Sequence, residues 1–532
     1  MKYLLGISLL VTTALTAVGQ NAFLPLDFYS TMRAERSMVD SVQSLHPEIR
    51  PYSAWVVQDN NGMFLNGSAK RIRTKAKERK ENYFEIELAP RINTTGYYEV
   101  GDANGTAVES SVGAAVFADY ANKVKFSADV IAGYNEPVSY MSVITDSLHA
   151  VPGYSYANRQ GGFGYHQSTI NLAWRPSKVV ELNAGRGKHF IGEGYRSLFL
   201  SDYAPNYNFL RADITAWRIK YMVLYTQMRS SLGFPDKFYG VQNKYATMHY
   251  LSLNITKWWS VGAFEAVVWE SEDSAQIRQV DINYLNPIIF FRPVEYSLGS
   301  SDNSLLGFSS TIRPAKGLTL YGQVMIDEFI VKEVFAPINA KISSDSTIKT
   351  AWYGNKQAVQ LGIKVHEPFG WKHSTILAEF NVLRPYIYSH GNSNQSYTHM
   401  TQPLAHPLGA NAIEWVAVAA WQPKDVWHFS LRSTYSRKGY TTSTRNMGEE
   451  PMISSSFLIN SPEKHGYYLL QGKIVDVANV RVDAAYTLVE RWNLRVESSL
   501  HYRVERSSSH MLGAFIFGFG LRTALWNDYK ML

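Results

Sequence analysis

Three long stretches between predicted strands hold the residues best suited to chemistry. Residues 185–211 combine glycines with charged side chains, namely Arg186, Lys188, Arg196 and Asp202. Residues 285–307 place Arg292 and Glu295 beside the apolar run IIFF. Residues 379–415 are rich in Tyr, Asn, Ser and His and contain Arg384, Tyr388, His390 and Asn411. Arg and Lys make charge-assisted hydrogen bonds to acidic groups, so these stretches are candidate ligand-binding loops.

The same residues do not form an enzyme signature. Neither GxSxG nor HExxH occurs in the sequence. His390, His399 and His406 share a loop region, but their spacing is no known metal pattern and cysteine is absent. Carboxylate pairs for sugar cleavage could be drawn from Glu295, Glu379 and Glu414, although sequence does not set their separation. We therefore expect no catalysis, no metal and no cofactor.

The stretch RWNLRVESSLHYRVE (491–505) indicates which elements carry these loops. Its apolar residues alternate with charged and polar ones, including Arg495, Glu497, Arg503 and Glu505. Successive side chains of a strand point to opposite faces, so one face here is apolar and the other charged. The same pattern recurs in 426–435, in 480–488 and in 511–521.

The connections between these predicted strands alternate between short and long. Short ones lie at 121–123, 175–178, 256–258, 313–316, 422–425 and 490–492; long ones lie at 136–161, 188–210, 271–303, 329–355, 386–409 and 438–464. Tryptophans cluster beside the short turns. Short periplasmic turns, long external loops and aromatic girdles are typical of transmembrane barrels rather than soluble sandwiches. We predict an all-β, antiparallel transmembrane barrel of about 18 strands, with the charged face inside; weak patterning at 211–229 and 465–488 leaves 16 possible.

The N-terminal residues predict export and a separate element ahead of the barrel. Residues 1–19 read as a signal peptide, with Lys2, an apolar stretch and a small-x-small cleavage site. Apolar residues at helical spacing in 26–45 predict a small helical and irregular segment over 20–80, periplasmic or plugging the barrel, and 81–532 form the barrel. The net charge of +7 resides mainly in 70–80, with seven basic residues and one acid. We expect no nucleic-acid partner.

Three motifs resemble the Wzi-type capsule-assembly outer-membrane family, in its Bacteroidota form that includes gliding-motility-associated members. They are GEGYRSLFLSD, LNPIIFFRPVE with SDNSLLG after it, and RPYIYSH followed by PLAHPLGAN. The resemblance implies an 18-stranded barrel whose lumen is closed by helices and inward loops, in the outer membrane of a Gram-negative bacterium. It also implies an extracellular or capsular polysaccharide as partner, besides outer-membrane lipid.

The resemblance thus predicts a non-enzymatic barrel that anchors or helps to assemble surface polysaccharide, with a possible link to gliding or adhesion. The expected contacts are the ten loop residues from Arg186 to Asn411 named above. We also expect the apolar 285–307 loop to fold back into the barrel mouth. Three alternatives stay open: the charged loop residues satisfy one another in an occluded lumen, the protein is a diffusion porin, or it is a structural part of a surface motility or secretion assembly.

Overall fold

A computed structural model describes residues 23–38, 46–55, 84–148, 150–154, 162–232, 240–273, 276–277, 281–288, 302–328, 330–343, 348–459, 463–523, 526–527 and 529–532. The predicted signal peptide, the basic stretch 70–80, Arg292 and Glu295 lie outside these residues.

Eighteen antiparallel strands close into one barrel. They are β1 (Phe84–Gly101), β2 (Gly105–Tyr120), β3 (Val124–Glu136), β4 (Phe163–Trp174), β5 (Val180–Gly187), β6 (Tyr207–Ala216), β7 (Ile219–Leu232), β8 (Gly240–Asn254), β9 (Trp259–Glu270), β10 (Asn303–Ala315), β11 (Leu318–Glu328), β12 (Lys356–His366), β13 (Ser374–Leu383), β14 (Ala412–Lys424), β15 (Trp427–Tyr440), β16 (Lys473–Val489), β17 (Leu494–Ser507) and β18 (Met511–Thr523). Each strand pairs with its neighbour in sequence, and β18 pairs with β1 to complete the barrel. The predicted fold class and strand number are confirmed.

The two faces of the wall follow the predicted alternation. On β17, Leu500 and Tyr502 are exposed on the outward face, whereas Arg495 and Arg503 are buried on the inward face. Leu500 pairs with Phe517 and Val482, which are also exposed, so apolar side chains form a continuous outer belt. Outward-facing cations occur near the loop ends of the strands, at Arg186, Arg229, Arg437 and Arg506. An apolar belt with polar rims is the surface that a lipid bilayer requires.

Four α-helices accompany the barrel in the described part of the chain: α1 (Phe28–Met38), α2 (Ser139–Leu148), α3 (Val331–Ser343) and α4 (Ser456–Ile459). None of them is long and apolar enough to cross a membrane. Helix α1 precedes the barrel, and α2, α3 and α4 belong to the long loops.

The described N-terminal residues, 23–38 and 46–55, lie inside the barrel, and we call them the plug. Glu35 of α1 forms an ion pair with Lys364 of β12 at 2.6 Å, and Asp27 bonds Arg495 of β17 at 3.0 Å. Further along, Ile49–Arg50 pairs with Phe190–Ile191 of the loop after β5. These contacts lie on separate strands around the inner wall, so the plug occupies part of the lumen. Buried charges need partners, and here the plug and wall supply them to each other.

Two long loops fold inward onto this plug. Residues 188–206, between β5 and β6, are almost wholly buried. Residues 384–411, between β13 and β14, meet them: Tyr388 Oη donates to Leu198 O at 3.0 Å, and Tyr397 Oη donates to Phe199 O at 2.8 Å. The largest apolar cluster of the described residues, which includes Leu198, Phe199 and Leu404, forms at this contact. The inward loops that the resemblance implies therefore fill one side of the lumen.

The described start of the 285–307 loop, residues 285–288, lies on the outer side of the wall, where we expected an inward fold; residues 289–301, with most of the IIFF run, lie outside the described residues. We call residues 281–288 the wall segment. Three of its carbonyls accept hydrogen bonds from outward-facing hydroxyls: Tyr284 O from Thr247, Leu285 O from Tyr225 and Pro287 O from Tyr221, at 2.6–2.9 Å. Irregular backbone at membrane depth needs such partners because lipid offers none. The wall segment thus lies along the outer face of β7 and β8, outside the barrel mouth.

Removing one of these hydroxyls should loosen the wall segment without opening the barrel. We expect Tyr225→Phe to leave Leu285 O unsatisfied, a loss of about 1–3 kcal/mol for a group out of contact with water. Limited proteolysis in detergent should then cut near 281–288 faster than in the wild type, while heat-modifiable gel mobility stays unchanged. Tyr435→Phe is the control, because Tyr435 Oη bonds a carboxylate at the exposed rim, that of Asp476. Equal cleavage of both variants would contradict the assignment.

Candidate functional site

One side of the lumen stays open beside the packed loops. A space of about 940 Å³, partly continuous with solvent, lies against β1, β2 and β16–β18. We call it the chamber. It adjoins a space of about 430 Å³ towards α1 and another of about 520 Å³ beneath α2, and Arg481 lines all three. Part of this volume is open to solvent, so the residues that line the chamber, rather than its size, indicate what it could bind.

The barrel strands give the chamber polar and aromatic walls. Inward residues of β1, spaced two apart, contribute Asn93, Thr95 and Tyr97, and β2 contributes Glu109. The adjoining strands β16–β18, which continue the wall beyond β1, contribute Arg481, Asp483, Glu497, Ser499 and Arg522. Period-two spacing places these side chains on the inner face because each strand alternates in and out. Aromatic rings beside amide and charged groups can contact both the apolar faces and the hydroxyls of a sugar.

The segment after β18 supplies the rest of the lining. The described residues of this tail, 526–527 and 529–532, lie in the lumen rather than below the barrel. Lys530 Nζ pairs with Glu109 at 2.9 Å and lies 4.1 Å from the ring centroid of Tyr97. Tyr529 donates to Asp202, and Arg196 donates to Met531 O at 3.4 Å. The tail therefore joins the inward 188–206 loop to the β1–β2 wall.

The four predicted residues of 185–211 take different positions. Lys188 lines the chamber, donates to Gly153 O at 2.9 Å, and has its pKa lowered to about 8 by burial. Asp202 is buried and accepts from Tyr529 and Asn527. Arg196 is buried in a bidentate pair with Glu414 at 2.8 and 3.0 Å. Arg186 faces outward on β5, bonded to Asn208 at 3.3 Å, and does not reach the chamber.

The four predicted residues of 379–415 lie together at the packed side of the mouth. Tyr388 and Asn411 are fully buried, and Asn411 ties the loop to β15 by donating to Gly439 O at 2.7 Å. Arg384 is partly buried and donates to Asn355 O at 2.8 Å. His390 accepts from Asn392 N at 3.1 Å. These side chains bond the protein itself, so their geometry suits positioning of the loop.

The sequence-based expectation missed most of the chamber lining. Tyr97 could have been found from the alternation of β1. Positions 93, 95 and 97 fall on the face that carries the charged residues, which is the inner face of the barrel. Lys530 could not have been found in this way, because no pattern in the tail sequence predicts that the tail lies in the lumen. Among the described residues, no group of His, Asp and Glu is arranged to hold a metal ion.

The fold and the elements packed inside it define the class of structure: an outer-membrane-type β-barrel with an internal plug. Searches of protein families and of curated proteins find no match. Among solved structures the chain is similar to Wzi of Escherichia coli, with 14% identity, a TM-score of 0.54, and coverage of 94% of this chain and 99% of that one. That protein is described as an outer-membrane protein involved in group 1 capsule assembly and a carbohydrate-binding β-barrel.

Weaker likenesses reach other barrels. OpdQ of Pseudomonas aeruginosa matches with 9% identity, a TM-score of 0.41 and coverage of 82% of this chain and 97% of that one. OprD of the same organism matches with 9% identity, a TM-score of 0.39 and coverage of 84% and 96%.

Proposed function

We propose that this protein is a non-enzymatic outer-membrane barrel of a Gram-negative bacterium that holds an extracellular or capsular polysaccharide at the cell surface. The chamber is the observation that carries the proposal. Its lining mixes aromatic rings with charged and amide groups, among them Tyr97, Tyr154, Lys188, Asn527 and Lys530. The carbohydrate-binding described for the structurally similar Wzi supports the same reading.

Within this proposal, the predicted contact residues divide by position. Lys188 is the one of the eight described residues that lines the chamber, so it is our first choice for an acidic sugar. Arg196, Asp202, Tyr388 and Asn411 hold the inward loops that shape the chamber. Arg384 and His390 lie at the rim of the mouth, where a longer glycan would pass. Arg186 is one of the outward-facing cations near the loop ends of the strands. Arg292 and Glu295 lie outside the described residues and remain predicted contacts. The proposed link to gliding or adhesion rests on the sequence motifs alone.

Filling the chamber tests the proposal. Ser499 lines the chamber on β17, so Ser499→Trp adds an indole to the space without removing a charge. We expect the fraction of surface polysaccharide retained by cells to fall towards that of a deletion strain, as measured in washed cells and culture medium. Ser433→Trp is the matched control, because Ser433 pairs with Val480 on the outward face of β15.

The outcomes of this experiment are distinct. If the deletion strain itself retains polysaccharide like the wild type, the holding function is wrong, and a structural role in a surface motility or secretion assembly becomes the better hypothesis. If the deletion releases polysaccharide but Ser499→Trp does not, the chamber is not the binding site. Normal heat-modifiable mobility of both Trp variants is required for either conclusion.

A conductance measurement separates the proposal from the diffusion porin. The plug and the two inward loops pack together inside the barrel, so we expect the purified protein to give only small or transient currents in planar bilayers. A deletion of 23–55, which removes contacts such as Glu35–Lys364 and Asp27–Arg495, should raise the conductance. Large, steady currents from the intact protein would contradict the occluded lumen and favour a porin.

A further inference from the structure

Helix α3 presents an unusual surface on the outside of the protein. Five large apolar residues on α3 are between 40% and 79% exposed: Val331, Val334, Phe335, Ile338 and Ile342. Their spacing places all five on one face of the helix. The opposite face carries Glu333, Ala336 and Ala340, which are the less exposed positions. Glu333 contacts His465 of the β15–β16 loop at 3.2 Å, so this polar side attaches the helix to the protein. The apolar face therefore points directly away from the body of the molecule.

The height of α3 follows from the strand before it. Strand β11 runs from Leu318 at its periplasmic turn to Glu328, a rise of ten residues. With about 3.3 Å per residue and a tilt of about 40°, it climbs about 25 Å, which is the height of the apolar band of such barrels. Helix α3 begins three residues after Glu328. Its first turn thus lies at the outer boundary of the lipid-facing belt.

The apolar face is continuous with that belt. Leu320 and Val324 are exposed on the outward side of β11. Ile330, at 49% exposure, continues this apolar surface to the start of α3. Lys332 and Lys341 are exposed on the borders of the apolar face. A helix with an apolar face and flanking lysines binds the boundary between acyl chains and anionic head groups. We propose that α3 lies on the outer leaflet, with Phe335 and Ile338 inserted into the lipid, as a membrane-surface anchor for the loop that follows β11.

The absence of cysteine from the sequence allows a direct test. Single variants Ile338→Cys and Asn339→Cys are labelled with a nitroxide and reconstituted into vesicles of phosphatidylcholine and phosphatidylglycerol. Asn339 is the matched control, because it is exposed but lies to the side of the apolar face. We expect the label at 338 to be accessible to oxygen and protected from a water-soluble nickel chelate, and the label at 339 to show the reverse. Phe335→Cys repeats the measurement on the same face.

Equal exposure of positions 335, 338 and 339 to the nickel chelate in vesicles would overturn the proposal. The face would then be open to the medium and fitted to an extracellular protein. Protection at 338 in detergent but not in vesicles would overturn it as well, since the protection would come from detergent alone. The readout concerns lipid contact only, so it is independent of polysaccharide retention.

Discussion

Replacing Glu414 by Ala is expected to cost about 3–5 kcal/mol of folding free energy, because it leaves the buried guanidinium of Arg196 without its counter-charge. The side chains of Arg196 and Glu414 are only 2% and 1% exposed, and His406 lies 3.0 Å from the same carboxylate. We expect a lower urea midpoint for the heat-modifiable form and faster proteolysis within 188–206.

The barrel offers a matched control at its exposed rim. Arg437 and Asp476 form a bidentate pair of the same kind at 2.6 and 3.0 Å, but Arg437 is 44% exposed there. Exposed ion pairs contribute about 0–1 kcal/mol, so Asp476→Ala should leave the midpoint nearly unchanged. The double variant Arg196→Leu with Glu414→Leu should recover much of the loss, because no buried charge is left unpaired. A similar fall in the urea midpoint for Glu414→Ala and Asp476→Ala would contradict a stabilising role of the buried Arg196–Glu414 pair.

A charge in the middle of the outer belt is expected to have the second-largest effect. Leu500 is half-exposed on β17, six residues above the first residue of the strand, and pairs with Phe517 and Val482. Leu500→Arg places a guanidinium near the bilayer midplane, at about 2–4 kcal/mol. Met511→Arg makes the same change on the outward face of β18 at its outer end, where the cost is about 0–1 kcal/mol.

Heat-modifiable mobility after folding into vesicles measures the difference. We expect a reduced folded fraction for Leu500→Arg and a nearly normal one for Met511→Arg. A similar folded fraction for both would show that the apolar face of β17 does not meet lipid.

Alternation of side chains was sufficient to predict the strands and their faces. The register of 491–505 fixes Arg495 and Arg503 inward because a strand cannot place neighbours on one side. Its start was less predictable: Glu490–Trp492 forms a 3₁₀ turn, and Asn493 adopts φ 53° while its side chain donates to Asp27, just before α1, so the strand begins at Leu494. That contact joins residues 466 positions apart, and no local pattern shows it.

The irregular segments were harder to predict because an apolar run does not tell which side of a wall it covers. The IIFF run suggested an inward fold, yet the described start of this loop lies outside. A signal was present in the strands: Tyr221, Tyr225 and Thr247 put hydroxyls on a face that should be apolar. Outward hydroxyls at membrane depth need partners, so they mark where a covering backbone lies. Likewise, charged loop residues predicted polar chemistry but not whether the protein itself satisfies them, as it does for Arg196.

The tail also stabilises the closure of the barrel, which depends on the pairing of β18 with β1. It leaves β18, crosses the junction where the first and last strands meet, and binds Tyr97 of β1 and Glu109 of β2 through Lys530. The tail therefore holds β18 and β1 together from the inside of the barrel. A molecule could leave the lumen sideways into the bilayer only if β18 and β1 separated, and the contacts of the tail resist that separation. Because Lys530 reaches both Tyr97 and Glu109 from the end of the chain that follows β18, this contact can form only after the first and last strands have met.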